Sequence, residues 1–125
     1  MLSVILACDD LYAAADYFVE PLGWTLVFAT PPESDDTLAC VQLGDAQVML
    51  GTAVDEFLAP AARQHRGAGV AIYLTLREED DIDAIHGRHL EAGVVTSELS
   101  QRPWGPRAFG AEILGYRFLV AEGGS

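Results

Sequence analysis

The residues of this 125-residue chain whose types could do chemistry are three histidines, two cysteines and a run of four acids. His86 and His89 stand three apart, a spacing that puts two side chains on one face of a helix. A catalytic zinc needs three protein ligands and an open position, and His65 lies in a stretch without periodicity. The histidines therefore read as surface or half-buried helix residues rather than a metal site. Glu78-Glu79-Asp80-Asp81 suggests a carboxylate pair, but adjacent acids ahead of a helix are more simply a solvated cap that complements the helix dipole. Cys8 and Cys40 sit in apolar runs with no Cys-x-x-Cys neighbour, so they read as buried thiols rather than a disulfide. A Gly-x-Ser-x-Gly elbow, a Gly-x-x-x-x-Gly-Lys phosphate loop and a His-Glu-x-x-His helix are all missing from the sequence. Little is left for chemistry.

Composition narrows the partners. Nineteen acids against seven bases give a formal net charge of -12, which repels nucleic acid and anionic membranes and attracts cations; solubility alone is the alternative reason for such a charge. Half the residues are hydrophobic, a globular composition. No apolar run approaches the ~20 residues of a membrane span, and the N-terminus lacks the basic-then-apolar pattern of a secretory signal. The expected location is the cytoplasm.

The elements that must position these residues come in two similar sets. Ser3 to Cys8 reads as a strand, with Asp10 as N-cap of a helix over Leu11 to Glu20 that Pro21 closes. Leu11, Ala15, Phe18 and Leu22 form its apolar stripe. Trp24 to Ala29 is a strand, Pro31 to Asp36 a loop, and Leu38 to Leu43 and Gln47 to Leu50 flank a tight Gly44-Asp45 turn. The second half repeats the order: strand Val70 to Leu76, a helix opened by Asp81-Ile82-Asp83-Ala84 and running to about Ala92, then strands Val94 to Leu99, Arg107 to Ile113 and Tyr116 to Ala121. Asp10-Leu11 aligns with Asp81-Ile82, Ala13 with Ala84, Glu20 with Glu91 and Gly23 with Gly93. The expected organisation is one domain over 1–125, with module 1 at about 1–51, a joiner at 52–69 and module 2 at about 70–121. Phe57-Leu58 is a candidate helical turn within the joiner.

This duplicated βαβββ order resembles the vicinal oxygen chelate superfamily, which includes glyoxalase I, extradiol dioxygenases, fosfomycin-resistance enzymes and bleomycin-resistance proteins. The resemblance also rests on Leu22-Gly23-Trp24, on Leu43-Gly44-Asp45-Ala46-Gln47-Val48-Met49-Leu50 and on Pro103-Trp104-Gly105-Pro106-Arg107-Ala108-Phe109, and it covers Ser3 to Ala121. Glu112-Ile113-Leu114-Gly115 departs from the family's usual Asp-Pro-Asp-Gly. The resemblance implies an α+β fold in which two βαβββ modules form an open eight-stranded cup with helices outside. It also implies a homodimer, since an incomplete cup leaves edges that a partner can cover. Metal-holding members place His, Gln or Glu at one inward position on four strands. Carried over, those positions are Ser3, Met49, Val70 and Leu119, and none is an ordinary ligand for a divalent ion. No metal, no cofactor and no catalytic residue is expected.

If Met49, Val70 and Leu119 point inward, alternation brings Gln47, Ile72, Leu74 and Arg117 to the same face, an apolar wall with a few polar handles. Trp104 lies in a Pro-Trp-Gly-Pro loop that would present its indole for stacking, or else use it to plug a dimer seam. Arg107 and Phe109 are expected at the mouth, Tyr73 under the helices and Trp24 in the core. The function implied is a binding protein, not an enzyme, that holds an antibiotic or other aromatic natural product, cationic or planar. The alternatives are a metal-dependent lyase or dioxygenase of the same superfamily, and a binder of an unknown metabolite.

Overall fold

A computed structural model describes residues 2–124 and shows an α+β chain built from one unit used twice. The first copy comprises β1 (Val4–Cys8), α1 (Leu11–Val19), β2 (Thr25–Ala29), β3 (Leu38–Leu43) and β4 (Ala46–Thr52). The second comprises β5 (Ala71–Thr75), α2 (Ile82–Glu91), β6 (Val95–Gln101), β7 (Arg107–Ile113) and β8 (Tyr116–Ala121). Each copy folds its strands into its own four-stranded sheet, ordered β1-β4-β3-β2 in one and β5-β8-β7-β6 in the other. In both, the first strand runs parallel to the last, which requires the helix as a crossover.

Local chemistry explains where the helices begin and end. The Asp10 carboxylate accepts from the amides of Tyr12 and Ala13 at 3.0 and 3.2 Å, and Asp81 does the same for Asp83 and Ala84 at the same distances. Each cap satisfies amides that the first turn leaves without partners. Gly23 and Gly93 follow the helices at φ of 81° and 78°, a region that costs a residue with a Cβ.

The joiner, 53–70, is as long as its sequence suggests but more structured. Strand β4 runs on to Thr52, the amides of Phe57 and Leu58 both bond back to the Val54 carbonyl, and an unanticipated 3-10 helix occupies Pro60–His65. Arg66 then bonds the Ala7 carbonyl and the Asp9 carboxylate, and so returns the joiner to the first unit. Compact packing divides the chain after Arg66, with the Gly44–Ala46 turn grouped with the second unit.

In the first unit, Leu11, Ala15, Phe18 and Leu22 are all buried, as is Trp24, which meets Phe18 edge-on with ring centroids 4.7 Å apart. Truncating an aromatic of this kind to alanine typically costs about 3–5 kcal/mol. In the second unit, Ile82, Phe109, Ile113, Phe118 and Val120 form the core. His89 is fully buried with them, its ring 5.4 Å from that of Phe109. The Ile85 carbonyl lies 2.8 Å from its Nδ1 and can only accept, so Nδ1 carries the hydrogen.

Burial pushes the His89 imidazole below its ordinary value of 6.5; the nearby Arg88 and His86 act in the same direction, and the bond to Ile85 opposes them. The unfolded chain therefore binds a proton that the folded chain refuses. The stability contributed by neutral His89 is complete above pH 6.5 and is lost as pH falls below it. We expect the melting temperature to decline between pH 7.5 and 5, and the decline to be shallower in His89→Met. Parallel pH profiles of the two proteins would assign the decline to other groups.

Candidate functional site

Each sheet lays one face under its helix, and strand register decides which residues share the other. In the first unit, β1 pairs Ile5 with Met49 and Ala7 with Gly51, while Leu6 and Leu50 form a buried pair on the opposite face. A Cβ built on Gly51 would lie 3.2 Å from Ile5 Cγ2, 3.8 Å from Phe57 Cε2 and 4.0 Å from Leu38 Cδ1. These side chains therefore gather over the helix-free face. Gln47 lies there too: its Nε2 donates to Gln42 Oε1 at 3.1 Å, and the Cys40 thiol lies 3.9 Å from its Oε1. Ile5, Phe28 and Phe57 are each about half exposed.

In the second unit, Tyr73 pairs with Leu119, Ala71 with Arg117, Gly110 with Leu119 and Glu112 with Arg117. Tyr73 is half exposed and Arg117 and Glu112 are exposed, giving this face a cross-strand pair of opposite charges beside a phenol. The other face pairs Ile72 with Phe118 and Leu74 with Val120, and Phe118, Leu74 and Val120 are buried.

Several expectations are corrected by these registers. Ile72 and Leu74 lie on the buried face and Tyr73 takes their expected place beside Leu119, because a slip of one residue exchanges the faces of a whole strand. Val70 precedes the strand and is 60% exposed. Phe109 does not reach a mouth: it is fully buried, with the rings of His86 and His89 at 5.1 and 5.4 Å. Arg107 is committed elsewhere, bonded to Glu122 at 2.8 Å and to Asp83 at 3.2 Å. Its guanidinium holds the Glu122 carboxyl below the ordinary carboxylate range. The bracing joins the ends of β7 and β8 to the first turn of α2.

Trp104 is 60% exposed, in contrast to Trp24. Its loop is closed by the Gly105 amide bonding the Arg102 carbonyl, the Arg102 amide bonding the Pro106 carbonyl and the Gln101 side chain bonding the Gly105 carbonyl. The Arg102 side chain donates to the Ala108 carbonyl at 2.9 Å and to Ser97 Oγ at 3.1 Å, with its guanidinium carbon 5.9 Å from the indole centroid. The guanidinium is thus within range of a cation-π contact. The sequence reading passed over Arg102; its signal was proximity, an arginine two residues before an exposed tryptophan in a tight turn.

Burial pushes the Cys8 thiol up to about 11 and raises Cys40 also, so neither is a nucleophile at neutral pH. Among the described residues no three His, Cys, Asp or Glu side chains gather as a metal site, and no helix is long and apolar enough to cross a membrane.

The family model of the glyoxalase/bleomycin resistance protein/dioxygenase superfamily matches residues 1–118. The chain belongs to this superfamily. No curated protein matches it in sequence. Among solved structures it is similar to TioX from Micromonospora sp. ML1, with 21% identity, TM-score 0.72, and coverage of 100% of this chain and 97% of that one. A superfamily member from Sphaerobacter thermophilus DSM 20745 shows 26% identity and TM-score 0.67 over 96% and 94% of the two chains. The fosfomycin resistance protein FosX from Listeria monocytogenes, solved as its E126Q mutant with Mn(II) and 1S,2S-dihydroxypropylphosphonic acid, shares 12% identity and TM-score 0.68, with coverage of 99% and 92%.

The superfamily's metal does not fit the residues present here. Ser3 stands two residues before Ile5, the partner of Met49; the matching position in the second unit is Ala71, two before Tyr73, the partner of Leu119. By that register Ala71 stands beside the expected Val70, and either is a hydrocarbon. A hydroxyl, a thioether and two hydrocarbons remain, a poor donor set for a divalent ion.

The two tryptophans should respond differently to a neutral quencher. Acrylamide should quench the emission from Trp104, and Trp104→Phe should leave a blue-shifted, resistant emission from Trp24. An easily quenched signal remaining in Trp104→Phe would contradict the burial of Trp24.

Proposed function

We propose that this protein is a metal-independent binding protein of the cytoplasm that sequesters an antibiotic or other aromatic natural product, rather than an enzyme that changes one. The observation that supports this reading is chemical: where the family resemblance places the ligands of metal-holding members, the chain carries Ser3, Met49, Val70 and Leu119, a hydroxyl, a thioether and two hydrocarbons. Apolar side chains beside those positions support the same reading, since Ile5, Phe28, Phe57 and Tyr73 each leave two-fifths or more of their surface open. Hydrocarbon exposed on this scale is a binding surface or a liability. Trp104 adds an indole plane on a braced loop, suited to stacking on a flat ligand.

We further propose that two chains pair, covering part of the exposed hydrocarbon, to give a particle of about 27 kDa, twice the 13.4 kDa chain. The acidic surface would draw cationic guests toward the protein at long range.

The experiment has two readouts on one preparation. Elemental analysis after dialysis without chelator should find no stoichiometric divalent metal. Calorimetric titration with bleomycin-type, mitomycin-type and anthraquinone-type compounds should find at least one binder, whose affinity falls by about 1–3 kcal/mol in Trp104→Ala. One manganese, iron, nickel or zinc per chain would restore the metalloenzyme reading. No heat with any compound would remove sequestration of such drugs.

A further inference from the structure

Across the helix-free face of the first sheet, side-chain chemistry changes from one row to the next. One row holds Phe28 opposite Cys40 and Ile5 opposite Met49. The row on one side of it is more closely packed still, with Gly51 under Ile5, Phe57 and Leu38. On the other side, toward the β3–β4 turn, Thr25 lies opposite Gln42, and Gln42 accepts from Gln47 at 3.1 Å. Two rows of hydrocarbon and sulfur are thus bordered by a row of amide and hydroxyl groups.

No side chain that β1 to β4 place on this face is an acid or a base, although the chain carries a formal charge of -12. The distinction matters for what can bind. Long-range acidity concentrates cations around the protein, but a cation pressed against this face would lose its water with no counter-charge to replace it. An uncharged amide row asks instead for a partner that both donates and accepts. Gln47 is the residue placed to supply both. Its Oε1 is met by a thiol at 3.9 Å, a weak donor that leaves its lone pairs for a better one, and Nε2 has a second hydrogen beyond the one given to Gln42.

We propose that this face reads the edge of a neutral planar ligand that carries an adjacent hydrogen-bond donor and acceptor, as an imide, lactam or ring amide does. Gln47 is the specificity-determining residue, and Ile5, Met49 and Phe57 cover the ring. Glycine at position 51 keeps the floor low enough for Phe57 and Ile5 to close over it. The proposal rests on the sequestration reading and narrows it to a ligand class that net charge alone would not suggest.

The test is calorimetric titration of the full chain with three dyes: lumichrome, neutral with an imide edge; its N,N′-dimethylated analogue, in which that edge has lost its donors; and proflavine, a planar cation. Lumichrome should bind about tenfold more tightly than the methylated dye, the scale of one good hydrogen bond. That preference should disappear in Gln47→Leu. Gln47→Glu should shift preference toward proflavine, and it carries the test should the leucine variant fail to fold, as judged by circular dichroism.

Equal affinities for lumichrome and its methylated analogue in the wild type, or an unchanged preference in Gln47→Leu, would overturn the proposal. Wild type that binds proflavine, or any compound of the drug panel, while refusing lumichrome would overturn it and leave sequestration standing. Silence toward the dyes and the whole panel would bring down both.

Discussion

Parallel pairing of the first and last strand in each unit is the constraint on which the rest depends. Strands β1 and β4, and likewise β5 and β8, can lie parallel only if the chain returns to the starting edge through a crossover, and α1 and α2 sit at the start of those crossovers. Once the helix lies on one face, that face is filled with Leu6, Val48 and Leu50 in one unit and with Leu74, Phe118 and Val120 in the other. The other face is left to side chains that owe nothing to the helix. Its composition is not set by helix packing, and the two copies differ there. One presents an amide pair beside hydrocarbon, the other a phenol with an Arg117–Glu112 pair.

Charge in this protein works at two ranges. The excess of acids acts over a Debye length on whatever approaches, whereas individual arginines are tied down locally. Arg66 is held by Asp9 and the Ala7 carbonyl, Arg63 by Asp55 and the Ala53 carbonyl, Arg77 by Asp80, and Arg107 by Asp83 and Glu122. These pairs are partly or largely exposed and contribute little energy each. Their effect is positional: the Arg107 group joins three elements, and Arg66 ties the end of the joiner to the end of β1. Arg102 differs from these four, its guanidinium donating to the Ala108 and Glu98 carbonyls and to Ser97 Oγ rather than to an acid. It remains beside the Trp104 ring.

The turn at Leu114-Gly115 shows what departure from a family pattern costs. Ile113 pairs with Tyr116, so these two residues make the whole connection, and both have positive φ, 54° for Leu114 and 89° for Gly115. A leucine in that region is strained by roughly 1–2 kcal/mol. Asparagine or aspartate would adopt it more readily. The strain sits at the tip of the β7–β8 hairpin and is borne by the buried pairs that follow it.

The eight strands, the two helices, their order and their repetition were legible in the sequence, while the 3-10 helix of the joiner was not. Asp10 and Asp81 marked the helix starts, Gly23 and Gly93 the ends, and the spacing of Leu11, Ala15, Phe18 and Leu22 fixed the buried stripe. These signals are local, carried by backbone capping and helical period. Register was legible only where one face of a strand was plainly polar or was anchored by a short turn, as Gln47 and Met49 were by Gly44-Asp45. Strand β5 reads Ala-Ile-Tyr-Leu-Thr, apolar or amphipathic at nearly every position, so alternation showed which residues share a face but not which face lies under the helix. Hydrogen bonding to β8 made that choice, and it moved Ile72 inward and Tyr73 outward. Tertiary structure also decided the fates of Phe109, Arg107 and Arg102, because each depends on a neighbour brought in from another element: the histidines of α2, Asp83 and Glu122, and the Ala108 carbonyl. Periodicity along a chain has no access to such partners, since they become neighbours only when the strands and helix of a unit have packed.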